Sequence, residues 1–282
     1  EAISYAFVDA TWLDAWQMRD VGLPLANPLS AELGVMRPAL LPGLVAALGR
    51  NAARQQPRVR LFEIGKVFAG GNDAPVETLR IAAVACGGAT AEQWGVGARA
   101  LDFHDLKGDL EAVAAQAGAT LAFQPSAPPH AHPGRSADVL RDGVRIGWIG
   151  QLHPRLQQAL GLDIDVLAFE LDLVPLLARP LPRAGALSRF PSVRRDLAFV
   201  VPEAVSWAAL EAGVRAAAGA SLREVRLFDR YVGKGVETGF KSLAMALILQ
   251  DDSRTLTDRD VDAVVASVVA ALEQEHGAAI RR

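Results

Sequence analysis

Between Val193 and Arg281 the sequence runs through six segments in a fixed order: strand, helix, strand, strand, helix, strand. Val193–Val201, VRRDLAFVV, reads as the first strand. Ser206 is placed to cap a helix over Trp207–Ala218, with Trp207, Leu210 and Val214 inward and Gly219 at its end. Leu222–Tyr231 and Phe240–Gln250 are two further strands. Thr257 and Asp260 form a capping-box-like start for a helix that carries Val261, Val264, Val265, Val268 and Leu272 at helical spacing. A short segment, Ala278–Arg281, can close the sheet. Few antiparallel layouts accommodate this order.

The order β-α-β-β-α-β is the ferredoxin-like pattern. The chain in front of it follows a different plan. Pro175, Pro180, Pro182 and Pro191 crowd into one stretch with Ala184-Gly185-Ala186 between them. That is a linker composition, and it places one domain over residues 1–180 and a second over 188–282. In the first, Ile3–Val8 alternates as a short strand, and Thr11 is positioned to cap a helix from Trp12 to about Arg19. A long helix is expected from about Pro38 to Gln55, with Leu41, Leu44, Val45 and Leu48 as its apolar stripe. Arg58–Phe68 reads as a strand pair or one long bent strand with Gly65 as a bulge. Gly70–Pro75 reads as a turn and Leu79–Cys86 as a buried strand. Asp102–Gly118 contains a helix with Leu106, Leu110 and Val113 on one face. Ser136–Arg141 and Val144–Leu152 meet at Asp142-Gly143, a strong hairpin signal. His153-Pro154 starts a short helix, and Val166–Leu173 is another strand. The result is a mostly antiparallel sheet with helices, an α+β architecture.

Composition narrows the function classes. The 282 residues suffice for two ordinary domains, and 51% hydrophobic with 22% charged residues marks a core-forming chain. A net charge of −3 excludes a generally basic nucleic-acid coat, so any such contact must be a local patch. Cys86 is the single cysteine, which leaves no internal disulfide and no cysteine-built metal site, and fits a reducing cytoplasm. No apolar run approaches the ~20 residues of a membrane span, so no membrane partner is expected. Structured-looking sequence, ISYAFV, follows almost directly on Glu1, so the chain is expected to be a piece of something longer.

Chemistry concentrates in Leu227–Leu243, LFDRYVGKGVETGFKSL. Alternation along a strand places Asp229 and Tyr231 on one face. An aromatic ring and a carboxylate side by side, with Arg230, Lys234 and Lys241 nearby, can hold an unstacked base: the ring stacks, the carboxylate accepts from the base edge, and the cations meet phosphate. An ordinary hairpin with a half-buried tyrosine is the alternative. From Arg189 to Lys241 there are nine Lys/Arg against six Asp/Glu, while the last helix is acidic, so the sheet and its hairpin form the basic side. Other sites are weaker. His130 and His132 lie in a Pro-rich loop with no third metal ligand nearby. His153 reads as a helix cap, Cys86 as a small core residue, and Arg50, Asn51 and Arg54 as a helix end that faces solvent, a partner or RNA.

Several segments together resemble a known family. Leu25-x-Asn-Pro-Leu-Ser-x-Glu32, Met36-Arg37, Leu40-Leu-Pro-Gly-Leu44, Asn51 and Leu61-Phe-Glu-Ile-Gly-x-Val-Phe68 are similar to the beta subunit of bacterial phenylalanyl-tRNA synthetase. So are Pro133-Gly-Arg-Ser-Ala137, Ile149-Gly-x-Leu-His-Pro154, Pro191-x-Val-x-Arg-Asp196, Leu227-Phe-Asp-x-Tyr231 and Lys241-Ser-Leu243. The resemblance runs nearly end to end. It implies a class II synthetase-like, catalytically silent module that packs on a catalytic alpha subunit, followed by a ferredoxin-fold anticodon-binding domain. It further implies a cytoplasmic assembly of two alpha and two beta chains that joins phenylalanine to its tRNA. ATP and magnesium would belong to the alpha chain, with no cofactor in this one and no DNA partner. Anticodon binding is carried onto Asp229, Tyr231 and Ser242, and phosphate contact onto Arg194, Arg195, Arg230, Lys234 and Lys241. The first anticodon base of that tRNA is guanine, whose N1–H and N2–H2 donors suit an acceptor-only Asp229.

The sequence departs from a working class II site. Such a site needs Arg-x-Glu late in a strand, but Arg60 and Glu63 are three apart and would face opposite sides. Ile146–His153 has glycines but no Arg before the helix. The chain alone is therefore expected to be inactive. The competing readings are a chain that itself activates an amino acid and a stand-alone RNA-binding or protein-interaction scaffold.

Overall fold

The computed structural model describes residues 1–71, 74–179, 181 and 187–281, in two compact units, Glu1–Leu181 and Pro182–Arg282. Of the expected linker, Pro180, Pro182 and Ala184-Gly185-Ala186 lie outside the described residues. Pro175 is not linker but part of a short helix.

The first unit contains β1 (Phe7–Val8), α1 (Ala10–Ala15), β2 (Leu23–Pro24), β3 (Val35–Met36), α2 (Leu41–Ala52), β4 (Val59–Gly71) and β5 (Ala74–Cys86). It continues with α3 (Phe103–Gln116), β6 (Ala122–Pro125), β7 (Ala131–Arg141), β8 (Val144–Leu152), α4 (Pro154–Ala159), β9 (Leu167–Asp172) and α5 (Leu173–Leu177). Strands β4-β5-β9-β8-β7-β6 form one six-stranded sheet, antiparallel at every pairing. Alternation on β5 sends Ala82, Val84 and Cys86 against Leu40, Leu44 and Leu48 around α2, and Ile81 and Ala85 against Leu106 and Leu110 of α3. Helices thus cover both faces of this sheet.

Several expectations shift for local reasons. Helix α1 begins before Thr11 because Asp9, not Thr11, is its cap: Asp9 Oδ1 accepts the Thr11 N–H at 2.8 Å. Helix α2 starts at Leu41 rather than near Pro38, where the Glu170 carboxylate accepts the free N–H groups of Leu40 and Leu41, both at 3.1 Å. Gly65 is not a bulge. The β4–β5 ladder runs without a shift from Val59↔Cys86 to Gly71↔Ala74, and Gly65 lacks a side chain because the Arg37 guanidinium lies where a Cβ would stand. The ladder also absorbs Gly70, Gly71, Ala74 and Pro75, which the sequence reads as turn; residues 72–73 lie outside the described residues. On α3, Ala114 rather than Val113 takes the inner position below Leu110.

The second unit has β10 (Val193–Pro202), α6 (Trp207–Ala218), β11 (Leu222–Tyr231), β12 (Phe240–Leu249), α7 (Asp258–His276) and β13 (Ala279–Ile280). Ser206 caps α6, and Thr257 with Asp260 makes a full capping box on α7. The sheet order is β11-β12-β10-β13, antiparallel throughout. Phe199, Val201, Leu243, Met245 and Leu247 meet Leu210 and Val214 of α6 and Val261, Val268 and Leu272 of α7. Both helices lie on that one face, and among the described residues no helix covers the other.

Candidate nucleic-acid interface

Register decides which side chains share the bare face. On β12, Ser242, Ala244 and Ala246 alternate with the core residues Leu243, Met245 and Leu247. Across to β11 the partners are Tyr231↔Ser242, Asp229↔Ala244 and Arg226↔Ala246. Across to β10 they are Val200↔Ser242, Ala198↔Ala244, Asp196↔Ala246 and Arg194↔Ile248. Asp229, Tyr231 and Ser242 therefore stand together at one end of the bare face, beside a low floor of alanines.

A β-bulge makes this possible. Leu227 pairs with Met245 and faces the core, yet Asp229 pairs with the next residue, Ala244. Phe228 is the extra residue between them. Without it, strict alternation from Val225 and Leu227 would turn Asp229 inward. Phe228 itself is 49% exposed, and the Arg194 guanidinium lies 5.7 Å from its ring centroid. Arg194 rises from β10 and crosses β12 to get there, which fixes Phe228 on the bare face too. Asp196 accepts two hydrogen bonds from Arg194, at 2.8 and 3.2 Å, and holds its pKa above the ordinary arginine value.

Tyr231 is 38% exposed and donates its hydroxyl to the Lys234 carbonyl at 3.2 Å. The turn closes over it only because Gly233 has no side chain; a Cβ there would stand 2.8 Å from Tyr231 Oη. From the end of β13, Arg281 lies 5.6 Å from the Tyr231 ring centroid and donates to Ser242 Oγ at 3.3 Å. A guanidinium only donates, so the Ser242 hydroxyl oxygen accepts from it, and Ser242 itself is buried, 5% exposed. The site end of the face thus offers an acceptor at Asp229 and the part-exposed ring of Tyr231 with Arg281 against it, beside the buried hydroxyl of Ser242.

The five phosphate candidates do not gather there. Arg194 shares the face, and exposed Lys234 sits in the adjoining turn. Lys241 lies on the opposite side, buried, with Nζ donating to the Glu203 carbonyl at 2.8 Å. Arg230 also turns that way and pairs with Glu203 at 2.8 Å. Arg195 reaches Asp258 at the start of α7, at 3.1 Å. Arg281 and Phe228 were not singled out from sequence. The signal for Phe228 was the break in the apolar phase Val225, Leu227 at Asp229; nothing local marks Arg281, which long-range pairing brings in.

In the first unit, Arg60 pairs with Asp109 of α3 at 2.7 Å while Glu63 turns the other way, to Arg37 at 2.7 Å. They do not converge. Arg80, Glu170, Asp172, His130 and Trp148 line a cavity of about 180 Å³, where Arg80 bonds Glu170 at 3.0 Å and Asp172 at 2.8 Å. His130 packs between Trp16 and Trp148, its Nε2 buried without a partner; burial, then the charge of Arg145, lowers its pKa to about 4. His132 instead accepts the Gly134 N–H at 3.1 Å, and His153 caps α4. Cys86 is buried, which pushes its thiol pKa up. Among the described residues no helix is long and apolar enough to cross a membrane.

A bare antiparallel sheet face with exposed rings and a carboxylate is a layout that single-stranded RNA-binding modules use. Residues 188–281 match the family model of the ferredoxin-fold anticodon-binding domain. Residues 1–173 match the phenylalanyl tRNA synthetase beta chain CLM domain, and the chain belongs to the phenylalanyl-tRNA synthetase beta chain family. It is 70% identical over 283 residues to the phenylalanine–tRNA ligase beta subunit of Xanthomonas campestris pv. campestris (strain 8004). Identity is 69% to that of Xanthomonas axonopodis pv. citri (strain 306) and 62% to that of Xylella fastidiosa (strain 9a5c). These matches cover 100% of this chain, which spans 36% of the length of each relative. Among solved structures, a pyrrolysyl tRNA synthetase chain of Desulfitobacterium hafniense aligns at 16% identity and TM-score 0.46, covering 62% of this chain and 60% of that one. That likeness is too distant to bear on the fold.

Proposed function

We propose that this chain is the non-catalytic, anticodon-reading part of a phenylalanine–tRNA ligase beta chain. The observation that carries the reading is the grouping of Asp229, Tyr231 and Ser242 on a bare sheet face, with Arg281 against the Tyr231 ring and hydrogen-bonded to Ser242. Guanine, the first anticodon base of tRNA for phenylalanine, presents donors N1–H and N2–H2, which complement Asp229. Adenine would turn its N1 lone pair toward the Asp229 carboxylate. Tyr231 supplies stacking worth about 1–3 kcal/mol.

The first unit acts as a class II synthetase-like module that docks a catalytic alpha chain. Its all-antiparallel sheet flanked by helices supports that likeness. Its partner surface is the apolar groove of about 300 Å³ between β4, β5 and α3, where Phe62 and Val113 stay exposed. ATP and magnesium bind in the alpha chain of a cytoplasmic assembly of two alpha and two beta chains. The divergence of Arg60 and Glu63 to opposite sides of the sheet supports an inactive module.

In ligase reconstituted with the alpha chain, Asp229→Ala should relax discrimination between guanine and adenine at the first anticodon position, and Tyr231→Ala should weaken charging. Unchanged aminoacylation of both the natural and the substituted tRNA in both variants would sink the anticodon reading. The chain without alpha should show no phenylalanine-dependent ATP–pyrophosphate exchange. Adding alpha should protect the Phe62–Val113 groove from hydrogen exchange, and protection confined to the second unit would refute the docking surface.

A further inference from the structure

We propose that Phe228 and Arg194 form a second base-stacking position on the bare face, so that this sheet holds two nucleotides of the anticodon loop and not one. The inference rests on the anticodon reading above and extends it to a second nucleobase with its phosphate.

Phe228 is a large apolar ring in a regular sheet, yet it is 49% exposed and stands on the face that no helix covers. The bulge holds it there in addition to Asp229. Its surroundings are shaped for a flat ligand. Ala244 on the neighbouring strand and Ala198 beyond it, both part-exposed, leave low ground between Phe228 and β10, while Ala246 is already covered at 2% exposure. Arg194 closes the other side at 5.7 Å from the ring centroid, and Asp196 locks its fork with two hydrogen bonds. An aromatic face and a guanidinium plane are the two surfaces on which single-stranded bases stack, and the guanidinium also attracts phosphate.

The spacing shows how two bases would lie. Phe228 and Tyr231 are three residues apart, but the bulge takes up part of that length, so they stand about 7–10 Å apart along the strand. That is two to three times the roughly 3.4 Å rise of stacked bases. The two rings therefore cannot hold neighbours of one continuous stack. They suit bases splayed apart, the form in which single-stranded loops are read. Each ring also has its own arginine, Arg281 at Tyr231 and Arg194 at Phe228, so the two positions are built separately.

The test uses the reconstituted ligase and tRNA for phenylalanine carrying 2-aminopurine at one anticodon-loop position at a time. Two separated positions should change fluorescence on binding. Phe228→Leu, which keeps apolar bulk but removes the ring, should abolish the change at one of them and weaken binding roughly 5- to 150-fold. Phe228→Tyr should retain it. Tyr231→Ala should abolish the other signal and leave the Phe228-dependent one in place. If Phe228→Leu matches the unmodified protein in affinity and at every 2-aminopurine position while Tyr231→Ala does not, the second position is refuted and the Tyr231 site stands. If neither variant changes binding or any signal, the anticodon reading and this extension fall together.

Discussion

The two units handle their sheets in opposite ways. The first covers both faces of a six-stranded sheet with helices and turns its interior charges on one another. Arg37 and Glu63, only 5% and 3% exposed, pair at 2.7 Å, and Glu170 is enclosed by Arg80 and two backbone amides. The second covers one face of a four-stranded sheet and carries its charges outside, as pairs such as Arg194–Asp196 and Arg226–Glu224. A charge satisfied in the interior specifies packing but is unavailable to a ligand. A bare face with surface pairs contributes little to stability and keeps those pairs within reach of solvent and of a ligand.

Energetics offer the most direct way to break this contrast. Removing one partner of the buried pair, as in Glu63→Ala, leaves Arg37 uncompensated and should destabilise the first unit by about 3–5 kcal/mol. Denaturant unfolding would measure it; a loss under 1 kcal/mol would mean the pair is solvated. Next comes pH. His130 is held neutral, with a folded pKa of about 4 against an ordinary value of 6.5. A depressed pKa supplies stability that is present above pH 6.5 and lost as pH falls toward 4, at most about 3 kcal/mol. His130→Phe should flatten that part of the stability–pH curve, and a curve parallel to the unmodified chain's would exclude His130 as its source.

Smaller effects should appear in the second unit. Lys234→Ala should weaken binding to all tRNAs alike and reduce the salt slope by roughly 0.7. A loss confined to one anticodon sequence would instead make Lys234 a base reader. Smallest should be Glu211→Ala on α6, which removes an exposed pair with Arg215 and should cost about 0.3–0.5 kcal/mol. A cost as large as that of Glu63→Ala would erase the distinction between the units.

What could be read from sequence follows the same divide. In the second unit, Ser206, Thr257 and Asp260 announce their helices locally, and apolar spacing gives the rest. The first unit hides its boundaries in distant contacts. Glu170 lies 130 residues from the Leu40 amide it accepts from, so nothing near Leu41 marks where α2 begins. At the site, Asp229, Tyr231 and Ser242 were legible as residue types in a hairpin. Lys241 stands on the side of the sheet away from that group, and its position beside Ser242 on one strand already places the two on opposite faces. Arg281 was invisible because only the pairing of β13 with β10 carries it toward Ser242.

The bulge at Phe228 also bears on how such a surface changes over generations. Deleting a residue from a strand ordinarily turns over every side chain beyond it. Phe228 is the exception, because Leu227 and Asp229 already face adjacent positions, Met245 and Ala244, on β12. Loss of its single codon would let the ladder close, with Asp229 and Tyr231 keeping their partners Ala244 and Ser242. The ring can therefore be gained or shed in one mutational step with the pairings of Asp229 and Tyr231 kept.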